Sequence, residues 1–132
     1  MRDLVRNISD NAPYKQAEIF LRLTRRIQAA GADAVAVTSI AGHFCIRELE
    51  ALSPLPVINA IPEIEAALVI RGLRRIGLLG ARVVMQSRIY GGVSAVEVVL
   101  PQGESFDATH NAYVAMAAAG QADDPRVESF YN

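Results

Sequence analysis

Thr38, Ser39, Ile40, Ala41, Gly42 and His43 form the run richest in chemistry in this chain. Two hydroxyls, a glycine and an imidazole follow a short apolar stretch and open a helical pattern. In an open parallel sheet, ligands bind at the carboxyl ends of the strands. The free N–H groups of a helix start favour a carboxylate or phosphate there. The run therefore describes an anion pocket with Ser39 or Thr38 at the reacting centre. It also describes a Ser/Thr helix cap followed by a helix-start histidine. A second turn, residues 80–87, offers Gly80 for close backbone approach and Arg82 for a two-pronged grip on a carboxylate. A tight turn with a solvated arginine would use the same residues. Asn59 is placed to line a cleft, and Glu63 is a partner for a helix dipole.

Other chemistries find no support. His43 and Cys45 are two apart on a predicted helix and do not share a face. With His110 the only other histidine, no metal set forms. Cys45 reads as a small buried hydrophobe. Gly77 and Gly80 have the wrong spacing for a dinucleotide fingerprint, and Lys15 is the only lysine, so no phosphate-loop lysine exists. No cofactor is expected.

The elements that must position these residues alternate in type. Residues 13–30 read as a helix: Ala17, Phe20, Leu23, Ile27 and Ala30 recur every three or four positions, with Pro13 suited to the first turn and Gly31 to the stop. Short apolar runs at 33–38, 55–58, 75–79 and 95–100 lack alternation, as strands covered on both faces do. Helical stretches at 43–52, 62–71, 84–90 and 104–119 separate and follow them, the third stopped by Gly91 and Gly92 and the last by Gly120. The order α-β-α-β-α-β-α-β-α predicts an α/β fold, a three-layer sandwich with a mostly parallel four-stranded sheet. Residues 1–120 are expected to form a single domain, and 121–132 a polar, frayed tail.

Composition sets the outer limits. The 132 residues carry 13 Lys+Arg against 14 Asp+Glu, a net charge of −1, which argues against a nucleic-acid or anionic-membrane binder. At 52% hydrophobic and 20% charged, the chain is expected to fold. One cysteine excludes an intrachain disulfide and fits a reducing, cytoplasmic setting. No secretory signal core opens the sequence, and the longest apolar runs, such as 34–37 and 66–70, are too short to span a bilayer.

With these residues in place, the stretch 30–43 (Ala-Gly-Ala-Asp-Ala-Val-Ala-Val-Thr-Ser-Ile-Ala-Gly-His) resembles the first active-site segment of the aspartate/glutamate (and hydantoin) racemase superfamily: GAD, an apolar strand, then C-N-T-A-H. Residues 55–58 resemble that superfamily's next strand. Residues 71–79, followed by Ser87, Arg88, Ile89 and Tyr90, resemble its "VGLLaT…S..Y" segment. The ordered similarity covers roughly residues 14–100, and the chain looks truncated at both ends. The resemblance implies a cofactor-independent racemase or isomerase built of two lobes. One thiol removes the α-proton of a small acidic amino acid, and another returns a proton on the opposite face. It places Ser39 at the thiol position with Thr38 beside it. With Arg82 from the turn at 80–87, the expected substrate-binding residues are then Ile40, Ala41, Gly42, His43, Arg82 and Ser87. The superfamily's threonines after the third strand fall on Ala81 and Val84. A serine hydroxyl is a far weaker acid than a thiol, whose pKa is about 8.5, so Ser39 cannot do the same work unaided. Missing segments would leave sheet edges and apolar faces that invite a second copy, which predicts a homo-oligomer. The alternative is an inactive, oligomerising or ligand-binding relative that lacks the two-thiol machinery.

Overall fold

A computed structural model of the chain describes residues 2–120; the tail expected at 121–132 lies outside them. Six α-helices and four short strands follow in the order α1 (Arg2–Ser9), α2 (Pro13–Ala29), β1 (Val35–Ala36), a 3₁₀ turn (Ile40–Cys45), α3 (Ile46–Leu52), β2 (Val57–Ile58), α4 (Ala60–Ile70), β3 (Arg75–Gly77), α5 (Arg82–Gln86), β4 (Glu97–Val99) and α6 (Glu104–Ala119). The chain divides into two compact units, Met1–Ile64 and Glu65–Asn132.

The fold is α/β with parallel strands, as the alternation predicts, but the expected four-stranded sheet is two separate pairs. In the first unit β1 pairs with β2, Val35 opposite Val57 and Ala36 opposite Ile58. In the second, β3 pairs with β4, Arg75 opposite Glu97 through Gly77 opposite Val99. The strands are only two or three residues long. Pro56 accepts a hydrogen bond from Val35 N–H at 2.9 Å but has no N–H to extend the ladder. The two-faced burial expected of these runs is also absent. Ala36, Ile58, Gly77 and Val99 are exposed, while their neighbours on the other face are half-buried or buried.

The first unit has its core where α2 meets the 3₁₀ turn and α3. Ala17, Cys45, Ile46 and Leu49 are buried, with Phe20, Val37, Phe44 and Val57 packed against them. Fully burying a side chain such as Leu49 contributes roughly 2 kcal/mol. The buried face of α2 is rotated from the expected stripe: Gln16, Ala17 and Thr24 are buried, whereas Leu23 and Ile27 are exposed. Helix α1, not anticipated from the sequence, explains part of this. Its Asn7 Nδ2 donates to Gln16 Oε1 at 3.0 Å in a buried pair, which draws a polar side chain inward.

The second unit buries Val84, Met85, Ile89, Val93, Val96 and Val98. Glu65 of α4 ties down the approach to β4. Its Oε1 accepts from Ser94 N–H (2.6 Å), Ser94 Oγ (2.9 Å) and Ala95 N–H (2.8 Å). Helix α5 starts at Arg82 and ends at Gln86, short of the 84–90 expected. Arg88, Ile89 and Tyr90 follow it with φ of 51°, 56° and 57°, in the left-handed region. No described helix is long and apolar enough to cross a membrane.

Candidate active site at the strand ends

The chain leaves β1 in extended geometry, and Thr38 and Ser39 emerge exposed at its carboxyl end. Ser39 occupies the cap position of the 3₁₀ turn (φ −101°, ψ 117°), yet its side chain makes no capping bond. Its carbonyl does the local work instead, accepting from Gly42 N–H at 2.9 Å and from His43 Nδ1 at 2.9 Å. Of the Ile40, Ala41 and Gly42 amides expected to meet a carboxylate, that of Gly42 is therefore already bonded. Gly42 is buried, and a Cβ there would lie 3.2 Å from both the Phe20 ring and a Val37 methyl. A larger residue would require the Phe20 ring and the Val37 methyl to give by a few tenths of an ångström, so glycine suits this close packing of the turn onto α2 and the strand end.

His43 is 1% exposed. Its Nε2 accepts from Ala60 N–H at 3.3 Å, at the start of α4. Both ring nitrogens are thus engaged by backbone, and the imidazole is not available as a base for the Ser39 hydroxyl. Asn59 sits at the end of β2. Its Oδ1 accepts from Ile61 N–H at 3.1 Å, capping α4, and its Nδ2 donates to Glu50 at 3.2 Å.

Cys45 does not replace the missing thiol. It is fully buried, and its Sγ donates to the Gly42 carbonyl at 3.3 Å. Burial, with the nearby Glu48 carboxylate adding to it, pushes the thiol up to about 12. The thiolate that a nucleophile or base requires does not form at neutral pH.

In the second unit the residues after β3 bind one another. Arg82 Nη2 meets Asp107 Oδ1 at 2.7 Å, and its guanidinium lies 5.4 Å from the centre of the Phe106 ring. Its backbone N–H donates to His110 Nδ1 at 3.0 Å. The arginine expected to hold a substrate carboxylate thus already holds an internal one. Ser87, also expected at the substrate, is used locally. Its Oγ accepts from Tyr90 N–H at 2.9 Å and donates to the Val84 carbonyl at 3.4 Å. An open groove of about 300 Å³ lies beside this assembly, lined by Gln86, Gln102, Phe106 and Asp107 among others. The sequence reading missed Asp107 as the partner of Arg82, because the two lie 25 positions apart. Among the described residues no three His, Cys, Asp or Glu side chains converge to hold a metal.

No known family profile matches the chain, and no curated protein sequence matches it. Solved structures do. One described as a candidate Asp/Glu racemase from Yersinia pestis aligns with a TM-score of 0.71 at 19% identity, over 98% of this chain and 58% of that one. An aspartate racemase homologue from Pyrococcus horikoshii aligns at 0.65 and 20% identity, over 80% of this chain and 48% of that one. The chain therefore spans about half the length of the structures it matches, and over that length it shares their fold.

Proposed function

We propose that this chain is a cofactor-independent racemase or isomerase of the aspartate/glutamate type. Its ligand is a small acidic amino acid or related carboxylate, held at the carboxyl end of β1. Ser39, with Thr38 beside it, marks the reacting centre. The observation that carries the reading is the exposed Ser39 hydroxyl at a strand end of a racemase-type fold, free of capping duty. Among the described residues, the thiol and the imidazole of the Ser39 segment, Cys45 and His43, are already engaged by backbone. The reading therefore includes a homo-oligomer in which a second copy completes the site, in a reducing, cytoplasmic setting.

The buried Cys45 thiol and the occupied His43 ring favour a second reading: a ligand-binding or oligomerising relative that lacks the proton-transfer pair. One experiment separates the two. The purified chain is incubated in deuterium oxide with each enantiomer of aspartate, glutamate and a hydantoin, and α-proton loss is followed by NMR. The racemase reading expects exchange that disappears in Ser39→Ala. Binding without exchange supports the second reading, and neither binding nor exchange overturns both for these ligands.

A further inference from the structure

The imidazole of His43 bonds to the Ala60 amide 17 residues further along the chain and so joins the ends of β1 and β2. β1 runs into Ser39 and β2 runs into Asn59 and Ala60. In a parallel pair both connections leave the same end of the ladder. An amide N–H can only donate, so the Nε2 that faces Ala60 N–H carries no proton. A carbonyl can only accept, so the Nδ1 facing Ser39 must carry one. The two backbone partners therefore select the neutral Nδ1–H tautomer of a ring that is 1% exposed.

The bond falls on the peptide that displays the proposed reacting group. Ser39 is exposed, and its side chain makes no capping bond. Its orientation is set by what grips its carbonyl: Gly42 N–H and His43 Nδ1–H, each at 2.9 Å. The second belongs to a ring anchored in turn on α4, so the strand-end loop is referenced to a helix rather than left to itself. Functional groups on loops need such support, since a misplacement of about 1 Å can cost a hundredfold in rate.

We propose that His43 is the positioning residue of the Ser39 site: its Nδ1–H tautomer ties the Ser39 carbonyl to the first turn of α4 and fixes the Ser39 hydroxyl for a carboxylate ligand. This rests on the functional reading above for the ligand, but not for the clasp.

Three readouts on the full chain test it. Long-range ¹H–¹⁵N correlation of the His43 ring reports its tautomer, and the expected result is a protonated Nδ1 and a bare Nε2. Amide exchange at Ala60 is expected to be protected in the native chain and lost in His43→Ala. Binding of L- and D-aspartate is expected to weaken about tenfold in His43→Ala and to return within about threefold in His43→Gln, whose single amide carries both a donor and an acceptor. An Nε2–H tautomer overturns the proposal, as does unchanged Ala60 exchange in His43→Ala. If His43→Ala does not fold, the native tautomer and Ala60 protection in His43→Gln decide, and failure of the glutamine to restore that protection overturns it. An unaltered chain that binds no aspartate overturns the functional reading, while the tautomer and the Ala60 exchange still decide the clasp.

Discussion

Ser39 and Cys45 stand six residues apart and have opposite fates, and environment accounts for the difference. The serine emerges exposed at a strand end, its side chain making no capping bond. The thiol is enclosed by α2 and α3 and bonded to the Gly42 carbonyl. Burial disfavours the thiolate, so the folded value rises from 9.0 to about 12. Two consequences are measurable. Iodoacetamide is expected to alkylate the native chain slowly at pH 8 and the denatured chain at the rate of a free thiol; equal rates would contradict the burial. Between pH 9 and about 12 the unfolded chain releases this proton and the native chain keeps it. The stability this group contributes is therefore complete below pH 9 and lost as pH rises towards 12. At this scale the sequence was readable where a residue acts through its own type: the hydroxyl after a Val-rich run, the glycine at a tight turn, the lone cysteine as a small apolar group. It was not readable for His43 or Arg82. The partner of one is a backbone amide, which any residue supplies, and the partner of the other is a carboxylate 25 positions away.

Four of the six described helices end by one device. At α2 the Gly31 N–H bonds to the Gln28 carbonyl and Ala32 N–H to Ile27, and α4 repeats this with Gly72 and Leu73. Helix α1 does it with Asn11 at φ 47°, and α5 with Arg88 at φ 51°. This is the paired-bond C-terminal motif that places its first non-helical residue in the left-handed region, where glycine, and next asparagine, fits without strain. Gly31 and Gly72 were therefore visible as stops. Arg88 was not, because nothing about arginine announces a left-handed turn, and the helix was expected to run on to Gly91. The same reasoning predicts the effect of Arg88→Gly. A non-glycine residue in this region costs about 1–2 kcal/mol, and glycine adds about 0.5–1 kcal/mol of backbone entropy loss. The substitution is expected to leave stability unchanged or raise it by about 1 kcal/mol in urea denaturation. Arg88→Val, β-branched and poorly suited to positive φ, is expected to lower it. If α5 instead continued as a right-handed helix through residue 90, glycine would destabilise by about 1 kcal/mol. The sign of the change thus reports the handedness of the turn.

At the scale of the whole chain, apolar groups that a finished sandwich would bury stand in solvent. Ile58 on β2 is 55% exposed, Leu79 after β3 62%, and at the end of α4 Val69 and Ile70 are 55% and 85% exposed, with Leu73 following at 42%. Single exposed apolar residues are ordinary, but three within five positions at one helix end make a patch, and patches of this kind mark interfaces. The α/β character was legible because each unit builds its own parallel pair from local alternation. The division into two pairs was not, because which strands pair leaves no mark in local sequence and these strands are only two or three residues long. Unpaired edges and half-covered faces are what a second copy would satisfy. Sedimentation velocity at micromolar concentration is therefore expected to show a dimer or larger species. Ile70→Glu, at a position too exposed to support the core, is expected to shift it towards monomer with little change in thermal stability. A monodisperse monomer would remove the oligomer from the functional reading. It would also remove the second copy as a source of a proton-transfer partner for Ser39; among the described residues nearby, Cys45 is enclosed and His43 is held by backbone. If the assembled chain exchanges the α-proton of aspartate and the Ile70→Glu monomer binds it without exchange, the second copy supplies the missing chemistry. If both bind and neither exchanges, the strand-end site is a receptor for the carboxylate and the fold is used for recognition alone.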